Sequence, residues 1–146
     1  MLSPRIAVLV SGGGTNLQAL IRARDAGLLN SGSLALVVSS KAGAYALTRA
    51  RQAGVEAVVV ERAEYPTQDA FEAALIETLE AHGIDIIVLA GFMLILSANF
   101  VSHYPDRIIN VHPSLIPAYC GKGFYGLRVH EAVLRAGEHK TGATVH

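Results

Sequence analysis

The chain is organised around residues 108–117, Ile108-Ile109-Asn110-Val111-His112-Pro113-Ser114-Leu115-Ile116-Pro117. This stretch begins as an apolar strand and ends where two prolines fix φ and remove backbone donors. Asn110 and His112 are two residues apart, so their side chains share one face of a strand. Open α/β sheets bind ligands beyond strand carboxyl ends, and this pair offers an amide and a proton that moves near neutral pH. The pattern indicates a functional site, and the alternative is an ordinary strand end with a hydrogen-bonded histidine.

The composition favours one buried α/β domain. The chain has 146 residues, of which 51% are hydrophobic and 16% charged, as expected for strands buried on both faces. The 12 Lys and Arg residues balance the 12 Asp and Glu residues, so nucleic acid and anionic membranes are not expected partners. Cys120 is the only cysteine, and neither a signal-peptide pattern nor an 18-residue apolar run occurs. We therefore expect a cytoplasmic protein.

Strand and helix patterns alternate along the chain. Strands are predicted at residues 6–10, 34–38, 56–60, 84–90, 107–111 and 141–146, and helices at 17–26, 44–52, 70–81, 97–103 and 127–136. This order predicts a single α/β domain over residues 1–146, with a doubly wound, mainly parallel sheet and helices on both faces. Because parallel strands end at one edge, the segment after the first strand and Asn110 should lie at the same edge.

A glycine loop, residues 11–16, separates the first strand from the first helix. The glycines let the backbone approach an anion, and the first helical amides point at it, with Thr15 and Asn16 near the helix start. A plain tight turn is the alternative. A dinucleotide site is excluded because Leu17 occupies the third glycine position, and a P-loop is excluded because no Lys follows these glycines. The loop suits a single phosphate.

An apolar strip follows the fourth strand at residues 91–96, Gly91-Phe92-Met93-Leu94-Ile95-Leu96. Six residues of this kind are unusual for a surface loop. The strip either packs in the core or forms one wall of an apolar ligand pocket, and the sequence leaves both interpretations open.

A histidine that moves protons is usually held by a carboxylate. Asp85 and Asp106 precede strands, which puts them about 17–20 Å from the carboxyl edge at about 3.3 Å per residue. Glu131, on the last predicted helix, is possible but not indicated. The other acids are expected on solvent faces of helices or in a polar loop at residues 62–69. Either His112 acts without a carboxylate or its partner follows His146, and we expect the second.

Residues 10–18, 89–93, 110–117 and 142–146 together resemble the phosphoribosylglycinamide formyltransferase family, in order and along the whole chain. The resemblance implies a Rossmann-like formyltransferase domain of de novo purine biosynthesis and one-carbon metabolism. Such a transferase moves a formyl group from the co-substrate 10-formyltetrahydrofolate to the amine of glycinamide ribonucleotide, without a metal. It is expected to be a monomer or homodimer.

The resemblance also implies roles for individual residues. The ribonucleotide phosphate would bind at Gly14, Thr15 and Asn16, and Asn110 and His112 would be the catalytic pair. Folate would contact the following residues: Gln68, Met93, Leu94, Ile95, Leu96 and Asn110.

Three departures from the family pattern stand out. Leu94 and Gln68 occupy positions where the family often has Arg, which removes positive charge that would meet the glutamate tail of folate. The catalytic Asp of the family is expected after His146, so we predict the N-terminal portion of a longer enzyme and a poor catalyst by itself.

Two other functions remain possible alternatives. One is formyltetrahydrofolate deformylase, which normally carries an additional N-terminal domain for which the early first strand leaves no room. The other is a non-catalytic nucleotide-binding module.

Overall fold

The computed structural model describes residues 4–29 and 32–111. Strands and helices alternate, with one short 3-10 turn at Arg62–Glu64, in the order β1 Arg5–Val10, α1 Thr15–Asp25, β2 Ser33–Ser39, α2 Tyr45–Gln52, β3 Glu56–Val59, α3 Gln68–Ala81, β4 Ile86–Ala90, α4 Ala98–Ser102 and β5 Ile108–Val111. The predicted helix at 127–136 and strand at 141–146 lie outside the described residues, as do His112 and Cys120. No helix in the described ranges is long and apolar enough to cross a bilayer.

The five strands form one sheet in the order β3-β2-β1-β4-β5, and every neighbouring pair is parallel. The chain adds β2 and β3 on one side of β1, then returns and adds β4 and β5 on the other side. This confirms the doubly wound, parallel arrangement. The direction of winding changes between β1 and β4, and in such sheets ligands bind in the crevice beyond the carboxyl ends at this switch point.

Each face of the sheet is covered by helices, as predicted. Alternate strand residues such as Val8 and Val88 pack with Leu17 and Leu20 of α1 and Ala46 of α2. The intervening strand residues face a second core, which contains side chains of α3 and α4. Side chains on both faces of β1 and β4 are therefore buried, which explains their unbroken apolar sequences.

Most element boundaries differ from the prediction by one or two residues, and local hydrogen bonds explain the differences at the two ends of α3. Thr67 Oγ1 accepts a hydrogen bond from the Ala70 amide at 3.1 Å, so α3 begins at Gln68 and the predicted polar loop through residue 69 was wrong. At the other end of α3 the Ile84 amide bonds to the Leu79 carbonyl, and β4 starts only at Ile86. The predicted cap of α4 is confirmed, since Ser97 Oγ accepts from the Phe100 amide at 3.3 Å.

Candidate functional site

Ser11 joins three strand ends at the switch point. Its amide donates to the Gly91 carbonyl at 3.2 Å, and its buried hydroxyl lies 2.7 Å from Ser40 Oγ. The same oxygen accepts from the Met93 amide at 2.9 Å. The hydroxyl thus connects the ends of β1, β2 and β4. The sequence offered only a weak signal for this role, a small polar residue directly after an apolar strand.

The carbonyls of the glycine loop bond to α2. Gly12 O accepts from the Ala46 amide at 3.0 Å, and Gly13 O accepts from Arg49 Nε at 2.7 Å. Described peptide bonds are all trans, so each following N–H points opposite to its carbonyl. The amides of Gly13 and Gly14 therefore point away from α2. Gly14 also provides no side-chain cap for α1, whose positive end remains available to an anion.

Glycine is required at position 14 for two reasons. Its φ is 84°, in the left-handed region that favours glycine. A Cβ atom there would lie 2.7 Å from Ala46 Cβ and 2.8 Å from Ala46 Cα. At Gly12 and Gly13, by contrast, an added Cβ would meet nothing within 4 Å. The positive φ and the close approach of α2 each favour glycine at position 14, and the two glycines before it line open space.

Arg49 of α2 contacts the glycine loop, and the sequence did not indicate this role. Besides its bond to Gly13, it donates from Nη1 to Gln18 Oε1 at 3.1 Å. Its guanidinium carbon lies 5.1 Å from the ring centroid of Tyr45. Arg49 therefore fixes the loop against α2 and adds positive charge beside it. No local pattern distinguishes it from the other arginine in the last turn of α2, Arg51.

The apolar strip alternates between core and solvent. Phe92, Leu94 and Leu96 are partly buried and pack against the core that contains α3 and α4. Met93 and Ile95 are 75% and 88% exposed. Core packing therefore holds for part of the strip, and the ligand-pocket interpretation stays a prediction for the exposed part. Large exposed apolar side chains beside a ligand crevice are available to a flat apolar group.

A buried carboxylate, Glu72, anchors the end of the strip. Its Oε1 accepts from Ser97 Oγ at 2.5 Å, and its Oε2 accepts from the Ser97 amide at 2.8 Å and from Gln68 Nε2 at 2.7 Å. Gln68 Nε2 also donates to the Ile95 carbonyl at 3.1 Å. Burial raises the pKa of the Glu72 carboxyl, but the hydrogen bonds from Ser97 and Gln68 lower it more, and the net shift is downward.

Glu72 corrects the expectation that the remaining acids lie on solvent faces or in the polar loop, because only 2% of this residue is exposed. A signal was present in the sequence. Glu72 falls on the same helical stripe as Leu75, Ile76 and Leu79, at the spacing of residues that face the core. An acid in that position requires several donors, and here Ser97 and Gln68 provide them.

Most predicted site residues meet at one edge of the sheet. Asn110 is partly buried on β5 opposite Leu89 of β4, near the carboxyl end shared with the glycine loop. Gln68 reaches the strip, where it bonds to protein groups. Asp85 lies at the opposite edge, where its Oδ2 accepts from the Arg5 amide at 2.9 Å. His112 lies outside the described residues, so the pairing of Asn110 with His112 stays a prediction.

An open cleft of about 730 Å³ follows the carboxyl ends of β1, β2 and β3. Its lining includes Gly12 and Gly13 of the glycine loop, Leu94 of the apolar strip, and two cationic residues, Lys41 and Arg62. Within residues 4–29 and 32–111, no group of three His, Cys, Asp or Glu side chains is arranged to hold a metal ion. The edge thus offers amides, cations and apolar surface to a ligand.

Comparison with known proteins agrees with this geometry. Residues 4–146 match the family model described as Formyl transferase. The chain is 42% identical over 141 residues to phosphoribosylglycinamide formyltransferase of Escherichia coli, covering 97% of this chain and 64% of that protein. It is 44% identical over 143 residues to the trifunctional purine biosynthetic protein adenosine-3 of Drosophila melanogaster, covering 97% of this chain and 10% of that protein.

Solved structures show the same relationship. The phosphoribosylglycinamide formyltransferase of Coxiella burnetii aligns with a TM-score of 0.73 and 45% identity, covering 93% of this chain and 61% of that one. Glycinamide ribonucleotide transformylase 1 of Symbiobacterium toebii has a TM-score of 0.73 and 43% identity, with 88% and 60% covered. The chain therefore spans about three fifths of these bacterial proteins. It belongs to the formyl transferase family.

Proposed function

We propose that the protein transfers a formyl group from 10-formyltetrahydrofolate to the amine of glycinamide ribonucleotide, as a phosphoribosylglycinamide formyltransferase. One observation carries the proposal. A glycine loop, an exposed apolar strip and Asn110 all lie at the carboxyl edge of one parallel sheet. Relatives that carry this name are about 42% identical over nearly the whole chain, which supports the assignment. The enzyme would act in the cytoplasm on small molecules, as a monomer or homodimer.

The glycine loop would bind the ribonucleotide phosphate. Amides that point away from α2 and the uncapped start of α1 suit a dianion, with Gly14, Thr15 and Asn16 nearest. Thr15 is exposed and Asn16 partly exposed, so both side chains can add hydrogen bonds. Arg49 would strengthen the local positive potential, because its bonds to Gly13 and Gln18 hold the guanidinium beside the loop.

The apolar strip would hold the pterin of the formyl donor. Met93 and Ile95 present apolar surface, and Leu94 and Leu96 support them from the core side. Gln68 would act on the donor indirectly, since its side chain holds the strip at the Ile95 carbonyl. A flat ring against this surface would bury side chains that are otherwise exposed to water.

The chemistry requires a donor for negative charge and a carrier for a proton. When the substrate amine attacks the formyl carbon, a C–N bond forms and the carbonyl oxygen becomes an oxyanion. Asn110 can donate to that oxygen, and protonated His112 can stabilise it. Collapse breaks the bond from carbon to N10 of the folate, and the proton from the amine passes to N10 with His112 as intermediary.

The test is formyl transfer by the whole protein with Asn110→Ala or His112→Ala. Each change should lower kcat by about 10²–10³, the usual loss for one oxyanion donor. Asn99→Ala is the matched control, because Asn99 is exposed on α4 and should leave the rate unchanged. Unaltered rates in both site variants would refute the mechanism. Formate release without the ribonucleotide would favour the deformylase, and phosphate-ligand binding without turnover would favour the non-catalytic module.

A further inference from the structure

Arg62 is fixed at the cleft, and none of the described residues is an acidic partner for it. It follows β3, and its Nη1 donates to the Tyr65 carbonyl at 2.9 Å while its Nε donates to Gln68 Oε1 at 3.3 Å. The guanidinium carbon also lies 6.0 Å from the ring centroid of Phe71. Within the described residues the ion pairs are Arg24 with Asp25 and His82 with Glu56. Neutral acceptors thus orient Arg62, and its remaining N–H donors and full charge stay available.

Lys41 supplies a second positive charge to the same cleft. Its backbone is fixed after β2, because the Lys41 amide donates to Ser39 Oγ at 3.0 Å and that hydroxyl donates to the Lys41 carbonyl at 2.6 Å. Its side chain is exposed and forms no ion pair in the part of the chain that the structure describes. The backbone is therefore placed while the ammonium group is open to a ligand.

Among the described residues that line the cleft, Glu61 is the one acid. Its carboxylate does not lie within 4 Å of the Lys41 or Arg62 side-chain nitrogens. The described part of the lining therefore has two positive charges and one negative charge. This balance favours an anion, and Glu61 opposes it, so neutralising Glu61 should have the opposite effect to neutralising Arg62.

Arg62 lies next to the apolar strip that we propose for the pterin of the formyl donor. Gln68 bonds to Arg62 through Oε1 and to the Ile95 carbonyl through Nε2, so one side chain connects the guanidinium to the apolar strip. Leu94 of the strip lines the cleft as well. A donor whose ring lies on the strip would extend its carboxylate-bearing tail along this surface. Neither Leu94 nor Gln68 has the positive charge that such a tail requires.

We propose that Arg62, assisted by Lys41, binds the carboxylates of the glutamate tail of the formyl donor. This inference rests on the proposed function, because it takes a folate as the ligand. The ribonucleotide phosphate is a second possible anion, since Gly12 and Gly13 line the same cleft. The strip and Gln68 favour the tail, because they are the neighbours of Arg62.

The experiment compares two donors with the whole protein, 10-formyltetrahydrofolate and the corresponding pteroate that lacks glutamate. Arg62→Gln should raise KM for the glutamate-bearing donor by about tenfold, which is the usual value of one charge-assisted hydrogen bond. It should leave kcat, and KM for the tail-less donor, unchanged. Arg62→Lys should restore part of the affinity. Lys41→Gln should raise the same KM about threefold, and Glu61→Gln should lower it about twofold.

Controls separate the possible results. Arg51→Gln removes an exposed charge of α2 that does not line the cleft, and it should change neither KM. Equal losses for both donors, or a higher KM for the ribonucleotide alone, would overturn the inference. Calorimetric titration with pteroylglutamate and pteroate measures the same difference without turnover. A wild-type protein that discriminates between these ligands but does not formylate would refute the proposed function and leave the tail site supported.

Discussion

The glycine loop after β1 and the apolar strip after β4 follow neighbouring strands, yet they are held in different ways. The loop is fixed through its own backbone, by carbonyl bonds to α2 and by a left-handed glycine. The strip is fixed by hydrogen bonds from the core side. The Glu72 carboxylate accepts from Ser97, which directly follows the strip, and from Gln68. Ser11 connects the two segments.

The difference agrees with the ligand groups that we propose for each segment. In that proposal the loop binds through its backbone N–H groups. Its carbonyls can therefore accept hydrogen bonds from α2 while the N–H groups stay free for the ligand. The strip offers apolar side chains, and exposing Met93 and Ile95 to water forgoes burial energy of about 1.5–3 kcal/mol each. A segment that cannot be held by burying these side chains needs strong polar anchors, and charge-assisted hydrogen bonds are the strongest the chain can provide.

The largest expected effect comes from removing the anchor of the strip. Glu72→Ala should lower the free energy of unfolding by about 4 kcal/mol, because three partly buried hydrogen bonds to a charged acceptor are lost. Urea unfolding measures the change. Glu77→Ala, an exposed glutamate on the same helix, is the control and should stay within about 0.5 kcal/mol of wild type. Equal effects of both substitutions would show that the strip is not anchored in this way.

The same carboxylate predicts a pH dependence. The folded-state pKa of Glu72 lies below its ordinary value of 4.5, so its contribution to stability is complete above that pH. The contribution is lost as pH falls through the lowered pKa of the folded state. Urea unfolding of wild type should therefore show a decline in stability under acidic conditions that is smaller in Glu72→Ala. An identical acid decline in the two proteins would contradict the assignment.

An intermediate effect is expected for the glycine loop. Gly14→Ala should cost about 3 kcal/mol, because the residue has a positive φ and its Cβ would overlap Ala46. Gly27→Ala is a matched control, since its φ is 77° but a Cβ there meets nothing within 4 Å. It should cost about 1 kcal/mol by φ strain alone. If thermal unfolding gave equal losses for both variants, the close approach of α2 would not be the reason for Gly14.

The smallest effect should come from the residue that connects the two segments. Ser11→Ala leaves the Met93 amide without its acceptor and Ser40 without its hydroxyl partner, at a cost of about 1.5 kcal/mol. Urea unfolding of Ser11→Ala, Ser40→Ala and the double variant gives a double-mutant cycle, which measures the coupling energy between the two hydroxyls. A coupling energy near zero would show that the two hydroxyls do not act together. Ser102→Ala, an exposed serine of α4, is the control.

Much of the fold was predictable because local patterns and burial agree. The unbroken apolar run at residues 6–10 indicated a strand buried on both faces, and β1 has that environment. Ser97 was predicted as the cap of α4 from residue type and position, since a cap depends on atoms within a few residues. Gln68 was assigned to a loop because Thr67 was not identified as a cap. That error concerned one hydrogen bond, and it moved the helix start by two residues.

The candidate site was only partly predictable. Gly14, the apolar strip and Asn110 have residue types that indicate their chemistry, and the parallel sheet brings them to one edge. Ser11 and Arg49 have no such signature, because their roles depend on the neighbours that the fold provides. Glu72 had a signal in its helical stripe, but two of the three donors that make its burial tolerable are on Ser97, 25 residues away in the chain.

The sequence by itself determined the periodic elements, their parallel order and the chemical types at the strand ends, because these follow from interactions over a few residues and from the chain's own alternation. Only the tertiary structure decided which hydroxyl, carboxylate and guanidinium meet those strand ends. Arg62 shows the reason. Its charge is a property of the residue, but its bonds to Gln68 and to the Tyr65 carbonyl arise from β3, α3 and the strip packing together.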